Sequence, residues 1–249
     1  SHTQPTIAPS AGRAYMILSH QLGEPGSINA ADADYIWHGE FTDDQSGKIN
    51  APAGDIDGDG LADFITASLR NQQNGIGPPT SDERRGSGKI YLVRGGDLAG
   101  LPRGTVMNLA DAAISWMGEE GGDALGYGLN HVGDFDGDGL SDVCAGSFGH
   151  SANGDASGKS YVITAADMGT DGNRSISEAS YGFLGEADLD WSGFNIAPAQ
   201  DVDQDGLDDI LVGAMGHSEE GLERAGRAYL ILAGNTEPGT HELIDADHI

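Results

Sequence analysis

Cysteine is nearly absent. Cys144 stands alone, so no disulfide can form within the chain. It lies two residues beyond an acidic stretch, in a β-prone run, and reads as a small buried hydrophobe rather than a nucleophile. Positive charge is scarce as well: 12 Lys and Arg face 40 Asp and Glu, for a formal net charge of −28. That balance argues against nucleic acid and an anionic membrane surface as partners. No apolar run approaches the length of a membrane span, which predicts no membrane insertion. No leader-like apolar segment follows Ser1, so the sequence reads as a mature or excised piece. Aromatic residues are only 6% of the chain against 40 glycines, a composition for short strands and turns rather than long helices. Helical periodicity is confined to brief stretches such as 108–113. The familiar catalytic signatures G-x-S-x-G, H-E-x-x-H and a phosphate-cradling glycine loop are missing too.

What the chain does have is one stretch three times. Residues 55–63 (DIDGDGLAD), 134–142 (DFDGDGLSD) and 201–209 (DVDQDGLDD) all read D-x-D-x-D-G-x-x-D. Each runs into an apolar segment (Phe64-Ile65-Thr66, Val143-Cys144-Ala145, Ile210-Leu211-Val212). Carboxylates at positions 1, 3, 5 and 9 of so short a loop repel one another. A hard cation that takes six to eight oxygen ligands resolves that repulsion, and calcium is the natural candidate. Three Ca2+ sites are therefore expected. Their ligands are Asp55, Asp57, Asp59 and Asp63; Asp134, Asp136, Asp138 and Asp142; Asp201, Asp203, Asp205 and Asp209. Gly60, Gly139 and Gly206 supply backbone freedom at position 6. Leu61, Leu140 and Leu207 offer a main-chain carbonyl at position 7 while the side chain turns inward. An EF-hand begins the same way but needs Glu at position 12, where this chain has Thr66, Ala145 and Val212, and needs helical flanks.

Two further landmarks share the repeat. Trp37-His38-Gly39-Glu40, Trp116-Met117-Gly118-Glu119 and Phe183-Leu184-Gly185-Glu186 each place their glycine at one constant interval before a loop (39 to 55, 118 to 134, 185 to 201). A Gly-basic-x-Tyr strand starts at Gly12, Gly88, Gly158 and Gly226, at nearly even spacing. Each unit then reads as a segment before the loop, an apolar strand after it, the Tyr strand, a Gly/Pro/Asp/Ala-rich linker and the aromatic-x-Gly-Glu strand. Four strands per unit of roughly 70 residues is the pattern of a propeller blade.

With Gly126-Tyr127-Gly128, Gly133-Asp134, Val212-Gly213-Ala214 and Gly226-Arg227-Ala228-Tyr229 in place, the sequence resembles FG-GAP repeats, the blades of the integrin α-subunit β-propeller and its bacterial relatives. The first copy departs from that pattern: Ser46-Gly47-Lys48-Ile49 lacks the aromatic, and Ala67-Ser68 replaces Gly-Ala. The resemblance spans about residues 12–249. It implies an all-β propeller of four-stranded antiparallel blades, with calcium bound in loops on one face of the disc and partners on the other. The blades expected are a half blade at 12–40, full blades at 46–119 and 125–186, and an incomplete blade at 192–249, about 3.5 in all. Integrin-type discs need seven, so the chain is expected to be part of a longer one, with pairing of two copies into one disc as a homo-oligomer, or closure of a smaller set of blades, as the alternatives.

Other candidates for chemistry have bland readings beside them. The first unit runs longer from Asp63 to Gly88 than the others do from Asp142 to Gly158 or from Asp209 to Gly226. The excess falls in 70–85, where Arg84 and Arg85 suit a carboxylate or sulfate, or where a surface excursion simply lengthens the turn. His150 and His217 each fall at the same short interval after a loop and read as turn packing before metal binding. His38 stands where its repeat partners are Met117 and Leu184, which argues against catalysis. Glu40, Glu119 and Glu186 recur in every unit, which fits a structural hydrogen bond better than paired carboxylates for glycoside hydrolysis. Trp37 and Trp116 read as core, leaving Trp191 as a surface contact. The function expected is a non-catalytic, calcium-binding module for adhesion or ligand binding, secreted or at the cell surface, with a protein or glycan ligand. The alternatives are the propeller scaffold of a secreted hydrolase or polysaccharide lyase, and a carbohydrate-binding lectin.

Overall fold

The computed structural model describes residues 10–19, 27–71, 86–168 and 171–248. In chain order the strands are β1 (Arg13–Met16), β2 (Tyr35–His38), β3 (Ser46–Gly54), β4 (Asp63–Ser68), β5 (Lys89–Val93), β6 (Thr105–Asn108), β7 (Ile114–Met117), β8 (Leu129–Gly133), β9 (Asp142–Ser147), β10 (Lys159–Ile163), β11 (Gly172–Ser175), β12 (Tyr181–Leu184), β13 (Ser192–Gln200), β14 (Asp209–Ala214), β15 (Arg227–Ile231) and β16 (Gly239–Glu242). They form four separate sheets: β1-β2-β6, β3-β4-β5-β7-β11, β8-β9-β10-β12-β16 and β13-β14-β15. The fold is all-β and propeller-like: the two five-stranded sheets are blades with the pre-loop strand at one edge and the aromatic-x-Gly-Glu strand toward the other, while β1-β2-β6 lacks the pre-loop strand and β13-β14-β15 lacks the aromatic-x-Gly-Glu strand. Helices are short. The 108–113 stretch is a single 3-10 turn at Leu109–Asp111, capped by the Asn108 side chain. Among the described residues no helix is long and apolar enough to cross a membrane.

The linkers hold more than their composition promised. Each contributes a short strand that leaves its own unit and pairs, in parallel, with the outer strand of the preceding blade: β6 on β2, β11 on β7, β16 on β12. A run of weak apolar character, such as Gly172-Asn173-Arg174-Ser175, has no periodicity to detect. Its strand character comes from an edge already waiting for partners. The added strand blunts that edge and staples consecutive blades together.

Between blades the chain approaches itself closely. Parallel bridges join Gly12 to Ser46, Gly88 to Leu125 and Gly158 to Ser192, tying each Tyr strand to the start of the next pre-loop segment. Gly158 has φ +89°, and a Cβ there would collide with the Ser192 backbone. Only glycine meets both demands. The same holds at Gly12 and Gly88, whereas at Gly226 the positive φ alone asks for glycine.

Three apolar clusters fill the three junctions between successive blades. Their centres are repeat-equivalent: Trp37, Tyr91 and Leu109; Trp116, Tyr161 and Ile176; Phe183, Tyr229 and Leu243. Trp37 and Trp116 are core, as expected from their place in the repeat. Trp191 is not a free surface aromatic: it is half-buried, with the Arg224 guanidinium 5.1 Å above its ring.

Candidate metal centre

The three acidic loops connect β3 to β4, β8 to β9 and β13 to β14, all at the same end of the blades. Position 9 of each loop is the first residue of the following strand, paired across the ladder with the last residue before position 1: Gly54 with Asp63, Gly133 with Asp142, Gln200 with Asp209. The sheet register thus closes each loop and brings its two ends together.

Inside the loop, short side chains bond the backbone just ahead of them, as Asp does in tight turns. The position-3 carboxylate accepts from the position-5 N–H (3.2, 3.1 and 3.2 Å in the three loops). The position-5 carboxylate accepts from the position-7 N–H (2.7, 2.8 and 2.9 Å). The position-1 Oδ2 accepts from the position-6 glycine N–H (3.0, 3.0 and 3.1 Å). Those glycines have φ +86°, +85° and +98° with open space around them, so they are needed for the turn itself and not for clearance.

Position 9 is the anchor. Asp63, Asp142 and Asp209 are 2%, 0% and 0% exposed. Oδ2 of each accepts from the position-2 N–H (2.9, 2.8 and 2.9 Å). Oδ1 accepts from the N–H of Gly95, Ala165 or Ala233 just after the Tyr strand (2.7, 3.0 and 3.0 Å). One carboxylate therefore fixes both the loop and the next turn of the blade. Burial raises the Asp142 pKa to about 7; the Phe135 N–H opposes this and the Asp136 carboxylate adds to it. Asp63 and Asp136 are raised as well, first by burial, with neighbouring loop carboxylates contributing.

The fold gathers Asp55, Asp57 and Asp63, then Asp134, Asp136 and Asp142, then Asp201, Asp203 and Asp209, each set offering carboxylate oxygens within 4.8 Å of one another. Asp59, Asp138 and Asp205 stand outside these sets. The second oxygen of Asp59 points over Gly96, and that of Asp205 over Gly234. The inward turn expected of the position-7 leucines is not general. Leu140 and Leu207 are half-buried, each leaning on the preceding loop at Gly58 and Gly137, but Leu61 is 46% exposed. The inward position depends on a neighbouring loop to cover.

The residues fit a hard divalent cation on two grounds. The donors are all oxygen. And Asp55 Oδ1 is buried without a hydrogen-bond partner among the described residues, an acceptor left unsatisfied on a residue of the first cluster.

The other candidates resolve into two recurring devices, the first of them between blades. Glu40 bonds Lys89 at 2.5 Å. Glu119 bonds Lys159 at 2.6 Å and the Tyr161 hydroxyl at 2.8 Å. Glu186 bonds Arg227 at 2.7 Å and the Tyr229 hydroxyl at 2.6 Å. Each glutamate thus reaches the basic residue of the next blade. Although burial works against it, the Lys159 and Tyr161 hydrogen bonds hold Glu119 below its usual pKa, and burial with Glu119 beside it pushes Tyr161 well up. A carboxylate held charged and engaged in this way is poorly suited to donate a proton.

The second device pairs His150 Nδ1 with Asp123 (3.3 Å), His217 Nδ1 with Asp190 (3.0 Å) and Asn71 Nδ2 with Asp44 (3.3 Å), all buried. The three aspartates and Asn71 escaped the sequence reading. Yet the signal was present: each Asp precedes its loop by the same interval (44 to 55, 123 to 134, 190 to 201). Asn71 likewise follows Asp63 just as His150 follows Asp142 and His217 follows Asp209. His38 is buried in β2, its pKa lowered first by burial and then by Arg13. Burial pushes the Cys144 thiol up to about 12, as befits an inert core residue. Of the 70–85 stretch, residues 72–85, with Arg84 and Arg85, lie outside the described residues.

Residues 192–231, which comprise β13, the third loop, β14 and β15, match the family model described as FG-GAP repeat. No curated protein matches the chain.

Proposed function

Because the chain carries an FG-GAP repeat within a propeller-like all-β fold, we propose that it is a calcium-stabilised, non-catalytic module that binds a protein or glycan ligand outside the cell. The observation that carries this reading is the threefold cluster of position-1, -3 and -9 carboxylates, one of them with a buried oxygen left without a partner. When bound, the ion supplies positive charge at the centre of each cluster. The chain's residues do the rest: Asp55, Asp57 and Asp63, and their counterparts, hold it, while the position-9 carboxylate passes that order to the following strand through two backbone N–H groups. Sites of this kind fill at the millimolar calcium found outside cells. The engagement of Glu119 and Glu186 in ion pairs supports a scaffold rather than a hydrolase. Calorimetric titration of the chelator-treated chain is expected to give three calcium ions per chain and much weaker uptake of magnesium, which resists irregular all-protein cages. Uptake of fewer than two ions would sink the reading.

The same proposal includes association between copies at β1. Tyr91, Tyr161 and Tyr229 are at most 1% exposed, whereas Tyr15, their counterpart, is 43% exposed. Beside it Ala14, Met16, Trp37, Pro52 and Phe64 line an open apolar cleft. A face of this kind favours a further blade. Light scattering in millimolar calcium is expected to give the mass of two chains, falling to one for Tyr15→Glu. A single-chain mass for the native protein at every concentration removes this part of the proposal and leaves calcium binding untouched.

A further inference from the structure

The second and third loops are not independent neighbours. Asp208, at position 8 of the third loop, accepts through Oδ2 from the Asp134 N–H at 3.0 Å, and its own N–H donates to the Asp134 carbonyl at 2.9 Å. Asp134 is position 1 of the second loop, so this reciprocal pair joins a residue next to the anchor of one loop to the first ligand of another. The approach is tight: a Cβ on Gly133 would collide with the Asp208 carboxylate, and Leu207 Cδ2 would lie 2.9 Å from a Cβ on Gly137. Position 8 has a different occupant elsewhere. Ala62 stands there in the first loop, and in the second Ser141, whose hydroxyl lies 3.3 Å from His131 Nε2.

We propose that the second and third loops take up their cations as a coupled pair, with Asp208 as the positioning residue that joins them. The inference rests on the calcium reading above and adds a mechanism of cooperation that the repeat motif does not contain. An ion in the third loop fixes Asp209, whose two oxygens already hold the Val202 and Ala233 N–H groups. That fixes the adjoining Asp208, which in turn holds the Asp134 peptide in the orientation its carboxylate needs. The second loop then has less disorder to lose when its own ion binds, and affinity rises without any new contact to the metal. Coupling must be reciprocal, so an ion in the second loop tightens the third by the same factor. Through space the effect has the opposite sign, because a cation in one loop weakens the negative field at the other. Salt screens that term, with a Debye length of about 8 Å at physiological ionic strength, and leaves the hydrogen-bonded link intact.

The amides of Gly139 and Gly206, bonded to Asp134 and Asp201, give each loop its own reporter in the nitrogen–proton NMR spectrum. The test follows calcium titrations of the full chain at physiological and at raised salt. Disabling the third loop with the double variant Asp201→Asn/Asp203→Asn is expected to raise the calcium concentration at the Gly139 midpoint by about fivefold or more, the lower end of ordinary allosteric coupling. In an Asp208→Ala background the same double variant is expected to change that midpoint by less than about twofold; alanine already occupies this position in the first loop. Asp208→Asn, which keeps an acceptor oxygen, is expected to retain the coupling. A Gly139 midpoint indifferent to the third loop, or equally dependent on it with Asp208→Ala, overturns the proposal. If neither glycine amide of the native chain responds to calcium, the calcium reading itself fails. If both respond but independently, calcium binding stands and only the coupling is lost.

Discussion

Removing calcium is expected to lower the melting temperature by on the order of 5–20 °C. The size of the effect follows from linkage: with about 2 mM free ion and a dissociation constant of roughly 0.1–1 mM, each occupied loop stabilises the folded chain by about 0.7–2 kcal/mol. Three loops give about 2–5 kcal/mol, and a domain of this size shifts by about 2–4 °C per kcal/mol. So large an effect has a local reason. Without the ion, the three gathered carboxylates of each loop face one another, and the position-9 aspartate is almost wholly out of water. Differential scanning calorimetry in calcium and in EDTA checks this. Curves that superimpose would mean that backbone N–H groups alone hold the loops. Readdition of calcium should restore the transition, which separates ion loss from irreversible unfolding.

The second large effect is expected at Asp142. In calcium, Asp142→Ala should destabilise the chain by roughly 5 kcal/mol: it leaves the buried Phe135 and Ala165 N–H groups without acceptors, at about 1–3 kcal/mol each, and forfeits one bound ion. Asp138→Ala, at an exposed position outside the gathered set, should cost less than about 1 kcal/mol in EDTA. Chemical denaturation of both variants measures the contrast. Equal losses would place the anchor elsewhere in the loop.

Acidity should separate the two states of the protein. The Asp142 pKa is raised to about 7 in the folded chain from an ordinary value of 3.8, and that of Asp44 to about 6. A raised carboxyl binds its proton better folded than unfolded. Its contribution is therefore fully present below the unfolded pKa and is lost as pH climbs through the folded one. Glu119, whose pKa is lowered, responds only below its unfolded value of 4.5; His38, lowered from 6.5, acts in the opposite sense within this window, so the two aspartates work against one histidine. In EDTA the melting temperature should fall between about pH 5 and pH 8. In calcium it should rise over the same interval, because protons and the ion compete for the same oxygens. A rise in both media would contradict the burial argument for Asp142.

Much of this was legible in the chain because it is periodic and local. Carboxylates two residues apart share a turn whatever surrounds them, and a glycine at position 6 permits that turn anywhere. The three D-x-D-x-D-G-x-x-D loops, the four-strand unit and the recurrence of Glu40, Glu119 and Glu186 as structural groups therefore followed from residue type and spacing alone. Recurrence pointed to a shared structural contact at those glutamates, and each does pair with a basic residue, Lys89, Lys159 or Arg227. The tertiary structure decided the rest. Strands β6, β11 and β16 exist only because the preceding blade offers an edge, so nothing in their own short sequences announces them. Asp123 meets His150, and Asp190 meets His217, where the pairing of a blade's two inner strands brings the start of one beside the end of the other. Asp134 meets Asp208 from the next blade altogether. Local preference is set by neighbours within a turn, whereas these contacts depend on how distant strands pair and on how one blade lies against the next. That is why a position as plain as the eighth residue of a loop acquires a role only once two loops stand side by side.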